Sequence, residues 1–144
     1  MSEPMFFCVL PAELSGLVGT VLNAGGVPVL DFTCSPRSDV PDGAWVRVRT
    51  RRSVPGTGPV IFAGSHKMPV RNRETWLEVT EPMAPPDGFA GVVLRGNEVG
   101  GAIGLDSGLS MLSQMGQDQE VILDAGLAPS QSAAALAAAA PAAA

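Results

Sequence analysis

Tyrosine is missing from this chain, and aromatic residues of any kind make up only 5% of it. One histidine, His66, and two cysteines, Cys8 and Cys34, are the whole supply of imidazole and thiol. A metal centre of clustered Cys and His needs more than that. Two cysteines without a C-x-x-C spacing give neither a redox pair nor a disulfide framework. Both lie in apolar, strand-like settings, so buried free thiols in a reducing compartment are expected, with a Cys8–Cys34 bridge left open. Positive charge is scarce and confined. Every Lys and Arg falls between Arg37 and Arg95, and the formal net charge is −5. A general binder of phosphate backbones needs the opposite balance, which excludes nucleic acid as the expected partner. The basic middle reads either as solvated loops or as a local anion site. No apolar run reaches the ~18 residues of a membrane span. The N-terminus lacks a basic segment followed by a secretory core, so a cytoplasmic protein without a membrane partner is expected.

With 144 residues, 46% of them hydrophobic, the chain has the material for one domain. A domain of this size buries about 68–70% of its unfolded surface. Phe6 to Leu10 is an apolar strand. Pro11 suits the first turn of a helix, where its missing N–H costs little. Leu14, Leu17, Val18, Val21 and Leu22 recur at the spacing of a helix packed on one side. Asn23, Gly25 and Gly26 end that helix, and Val27 to Thr33 is a second strand. Strand, helix and strand make a βαβ unit with parallel strands. Further strands are read at Trp45 to Thr50, Val60 to Ala63, Trp76 to Thr80, Phe89 to Leu94 and Val121 to Leu123, with a short helix at Ser107 to Met115. Pro and Gly break the chain between them. Residues 1–129 form the expected α/β domain. Residues 130–144, mostly alanine, read either as a helix or as an Ala/Pro linker.

The stretch from Gly91 to Gly101 carries the most information. Val92 to Leu94 is a buried-strand pattern that runs straight into Arg95, Gly96, Asn97, Glu98 and the pair Gly100 and Gly101. Parallel α/β folds keep their ligand sites at such carboxyl ends. The glycines suit either a ligand approaching the backbone or a turn that needs positive φ. There is no Walker-type lysine loop, no Rossmann fingerprint and no nucleophile elbow.

Three stretches, Val21 to Asp31, Gly88 to Gly101 and Val121 to Leu127, occur in an order that resembles nitronate monooxygenase-like proteins, also called 2-nitropropane dioxygenase-like. The Arg95-Gly96-Asn97-Glu98-Val99-Gly100-Gly101 run is most similar to the variant embedded in modular polyketide synthases. The resemblance implies an FMN-binding (β/α)₈ TIM barrel, here a partial or shortened one. Such barrels typically need about 200 residues or more, and this chain would supply roughly the first six strands. On the family pattern, Gly96, Asn97, Glu98, Gly100, Gly101, Ala125 and Gly126 would face the flavin or its phosphate. Ala102 stands where catalytic members carry a histidine and the polyketide-associated variants an arginine. Alanine moves no proton, which leaves Glu98 and His66 as weak catalytic candidates. Glu98 would need burial to raise its pKa and otherwise pairs with a cation. His66 and Lys67 read as exposed loop residues or as groups facing a ligand at the rim.

The resemblance thus implies a degenerate or partial flavin-binding domain of a polyketide- or fatty-acid-synthase-type assembly, non-catalytic alone. Its partners would be other megasynthase domains or a complementing barrel half. The alternative is an FMN-dependent oxidoreductase segment that needs the missing half. Two expectations come from the residues themselves. The middle strands could instead pair as antiparallel hairpins across their Pro/Gly turns, giving a mixed α+β fold. Arg47 and Arg49 share a strand face, so they need acidic partners, an anionic ligand or exposure, and exposure is the expected answer.

Overall fold

A computed structural model describes residues 5–64, 68–96 and 107–124 of the chain. Seven strands form one sheet: β1 (Phe7–Pro11), β2 (Val27–Asp31), β3 (Trp45–Val48), β4 (Val60–Phe62), β5 (Thr75–Val79), β6 (Gly91–Arg95) and β7 (Val121–Asp124). They lie side by side in sequence order, and every pairing is parallel. The sheet curls into a half-barrel, one more strand than the resemblance implied. Antiparallel hairpins in the middle are overturned by the parallel pairing of β3, β4 and β5.

Helices are few. Between β1 and β2 the chain forms a 3-10 turn, Ala12–Leu17, and a short helix α1, Val18–Asn23. A second helix, α2, covers Gly108–Leu112, shorter than expected. Among the described residues, the links through 49–59, 63–74 and 80–90 contain no helix. They are about a dozen residues long, the least that a parallel crossover needs. Their prolines remove N–H donors, and Gly56, Gly64 and Gly88 take positive φ, so helical winding is blocked. These loops cover the convex face in place of barrel helices. Leu30, Val46, Val48, Phe62, Leu77, Val92 and Leu94 point into that core, and Val40, Val54 and Val70 from the loops pack on it.

Arg73 fixes two of the loops. Its Nε and Nη2 donate to the Gly58 carbonyl at 2.8 and 2.6 Å, and its Nη1 donates to the Pro55 carbonyl at 3.1 Å. Burial draws the Arg73 pKa below the ordinary arginine value, because charge is held there by neutral carbonyls alone. Fully buried Thr75 is satisfied locally: its Oγ1 accepts from the Val70 N–H and donates to the Arg73 carbonyl, both at 3.0 Å.

Two expectations near the N-terminus are corrected. Of the five apolar positions read as one helix face, Val18 is buried and Val21 packs on the core, while Leu14, Leu17 and Leu22 are exposed. The first half winds as 3-10 with a break at Leu14, so the 3.6-residue phase is lost before Val18. Cys8 and Cys34 are free, but both are exposed rather than buried. Cys8 lies on the edge strand, and Cys34 follows β2 in a loop. Among the described residues no helix is long and apolar enough to cross a membrane.

Candidate functional site

Strand residues of one parity line the concave face, and the register stacks them in layers. Phe7, Trp45 and Trp76 close the amino-terminal end. Phe7 meets Trp45 edge-on at 5.0 Å between centroids, and Trp45 lies 6.0 Å from Trp76. Trp76 donates its indole N–H to Glu74 Oε1 at 2.7 Å. The indole ring lies where a Cβ on Gly91 would have to go, so only glycine fits at the start of β6. Above this aromatic floor sit Val9, Val29, Ile61, Val93 and Ile122.

The next layer is charged. Asp31, Arg47, Glu78, Arg95 and Asp124, from β2, β3, β5, β6 and β7, form a row of alternating sign along the carboxyl rim. Glu78 is the hub. Arg47 grips it with two parallel bonds, Nε to Oε2 at 2.7 Å and Nη2 to Oε1 at 2.8 Å. Arg95 Nη1 donates to the same Oε1 at 3.1 Å. Outward, Arg47 Nη1 meets Asp31 Oδ2 at 3.1 Å, and Arg95 Nε meets Asp124 Oδ2 at 3.1 Å. The other Asp31 oxygen accepts from the Thr33 N–H and hydroxyl at 2.9 and 2.7 Å, which fixes that carboxylate at the strand exit. Arg47, Glu78 and Arg95 have 15%, 8% and 12% of their side chains exposed. Charges this buried persist only in such geometry. The bonds to Glu78 and its charge, with a further contribution from Asp31, hold the Arg47 pKa above the ordinary arginine value.

Arg47 therefore corrects the expectation of exposure: it takes the first of the three options, acidic partners, while Arg49 is exposed beyond the end of β3. The row was not anticipated as a unit. Its signal is nonetheless present, because each of these strands carries one charged residue near its carboxyl end and apolar residues before it. Aligning those ends requires the register, which no single strand contains.

The floor, the aliphatic layer and the row bound a cleft of about 260 Å³ that reaches from Phe7 and Val9 on β1 to Ile122 and Asp124 on β7. Of the expected site residues, Gly96 is buried at the end of β6, with its N–H donating to the Asp124 carbonyl at 3.2 Å. That donor is used within the sheet. Asn97, Glu98, Gly100, Gly101, Ala125, Gly126 and His66 lie outside the described residues, as do Ala102 and Lys67. Among the described residues no group of three or more His, Cys, Asp or Glu side chains could hold a metal ion.

Pockets that hold cofactor-sized ligands occupy about 300–1,000 Å³, somewhat more than this cleft. The row sets three carboxylates against two guanidinium groups, a balance that repels phosphate. No family model, curated protein or solved structure matches the chain.

Proposed function

We infer that this chain is a non-catalytic, partial barrel domain of flavoprotein lineage that acts as a docking or structural element in an assembly of polyketide- or fatty-acid-synthase type. The lineage rests on the resemblance of its glycine-rich strand exit. The parallel, sequentially ordered and curled sheet supports it. The non-catalytic reading rests on one observation: both rim arginines are matched by carboxylates on neighbouring strands. A site for a dianionic phosphate needs spare positive charge or spare N–H donors. Here Arg47 and Arg95 are committed to the row and Gly96 to the sheet. Ala102 supports the same reading, since it replaces the family's proton-transferring side chain. Two exposed free thiols suit a reducing, cytoplasmic setting.

Purification under mild conditions with added FMN, followed by gel filtration, tests the reading. The expected product is a colourless, cooperatively unfolding protein. A yellow protein that retains stoichiometric flavin would overturn the non-catalytic reading in favour of an FMN-dependent oxidoreductase segment.

A further inference from the structure

We propose that the turn after β3, residues 49–53, together with Arg37 at the exit of β2, is a docking surface for a short acidic segment of a partner protein. The inference rests on the docking reading above and names the partner's chemistry.

Charge argues first. Residues 43–73 contain no Asp or Glu and carry seven of the nine Lys and Arg residues, although the formal net charge of the whole chain is −5. The fold absorbs Arg47 in the row and Arg73 among loop carbonyls. Arg49, Arg51 and Arg52 stand exposed just past the carboxyl end of β3. Arg51 and Arg52 carry the argument, since the same short turn presents both to solvent.

Local structure holds the group together. The Arg52 N–H donates to the Thr50 hydroxyl at 3.0 Å, and Ser53 takes a φ of 52°, so the chain turns at once instead of extending β3. Arg37 adds a cation from the neighbouring strand. Phe32, just past β2, donates its N–H to the Arg47 carbonyl at 2.9 Å, which sets it beside Val48. Arg37 lies over the Phe32 ring, 5.9 Å from its centroid, and donates to the Phe32 carbonyl at 3.3 Å. Neighbouring strands are about 5 Å apart, so this guanidinium is held beside the strand that leads into Arg49. Two acids of this sector, Asp31 and Glu13, are engaged by Arg47, Thr33 and Ser35.

The occupant follows from size and charge. Guanidinium forks take carboxylates through two parallel bonds. At about 3.3 Å per residue the turn reaches over roughly 10 Å, enough for a few residues of a partner. A duplex or a membrane has to lie along much more of the surface. All 14 Asp and Glu residues fall outside residues 43–73, so a long polyanion is repelled beyond the patch. A short run of Asp or Glu meets the arginines without that cost.

The test uses the full chain, a fluorescent glutamate-rich peptide of about ten residues, and the same peptide with glutamine for every glutamate. Fluorescence anisotropy is expected to show saturable binding of the glutamate peptide, at least about tenfold tighter than the glutamine peptide, and weaker binding as salt rises from about 50 to 300 mM. Arg51→Gln combined with Arg52→Gln removes two charges from the turn. Arg71→Glu lowers the net charge equally at the other end of the sheet, where exposed Arg71 precedes β5. The double variant should weaken binding about tenfold and Arg71→Glu less than about twofold. All three positions are exposed, and circular dichroism checks that the folds are kept. Equal losses overturn the proposal, because the field of the whole chain would then be acting rather than a surface. Equal binding of the two peptides, or binding of neither, overturns it too. So does tighter capture of a single-stranded oligonucleotide, or of vesicles of equal parts phosphatidylserine and phosphatidylcholine, that the double variant loses. The flavin experiment is independent. A colourless protein that ignores the glutamate peptide loses the acidic partner and keeps the non-catalytic reading, whereas retained FMN removes that reading whatever the peptide does.

Discussion

Glu78 is the residue on which the rim depends. Three arginine nitrogens converge on its two oxygens, and less than a tenth of the side chain reaches solvent. Glu78→Gln keeps the shape but removes the shared, most buried carboxylate and leaves each guanidinium with its outer aspartate. Breaking a buried pair in this way costs about 3–5 kcal/mol, a loss expected in the unfolding free energy obtained from urea denaturation. Asp124→Asn removes an outer, partly exposed member and should cost under about 1 kcal/mol. Equal losses for the two variants would contradict the hub assignment. Individually, Arg47, Arg95 and Asp124 were each visible in the sequence as charges beside apolar runs. That Arg47 faces Glu78 was not, because the two are far apart in sequence and meet only through the register of β3, β4 and β5. A neighbouring contact illustrates a weaker effect. Ser35 donates to Glu13 at 2.7 Å and holds that exposed carboxyl below its ordinary value. The contact is in force above the usual carboxylate range and fades as the pH falls through the lowered value. Ser35→Ala should raise the Glu13 pKa in an NMR titration; an unchanged value would show that the bond does not form.

At the level of elements, strands were far more legible than helices. The runs at 27–33, 60–63, 89–94 and 121–123 read as strands from composition and bounding turns alone, and the strands observed there span 27–31, 60–62, 91–95 and 121–124. The helix after Pro11 was over-read, since its apolar period counted Leu14 and Leu17 as inward-facing although the local winding is 3-10. Parallel order in the middle could not be read from the sequence, because a proline-rich link of about a dozen residues permits either a hairpin or a crossover. What decides it is the convex core, where loop residues such as Val54 and Val70 pack against strand residues. Gly91 tests the concave side. Its substitution by alanine would drive a methyl into the Trp76 indole and the Glu120 carbonyl. Overpacking of this kind costs about 1–3 kcal/mol. Thermal unfolding should show it together with a change in tryptophan fluorescence, and an unperturbed Gly91→Ala variant would mean that Trp76 does not lie over β6.

As a whole molecule, the half-barrel brings strand exits to one rim, which is the property the sequence reading relied on. What stands at that rim differs from the expectation of a flavin edge. Five alternating charges satisfy one another over a small apolar cleft, and this self-sufficiency is why the domain is read as a docking element rather than a redox site. The buried centre of the row should tolerate high ionic strength, while the outer contacts of Asp31 and Asp124, its more exposed members, should weaken with it. The most direct test follows the two rim arginines themselves. In a ¹⁵N NMR titration of the full chain with FMN, the Nε–H signals of Arg47 and Arg95 should stay where they are, because both groups are held by Glu78 and its flanking aspartates. A saturable shift of either signal, at flavin concentrations that also shift Gly96, would show that the rim opens to phosphate and would contradict the account.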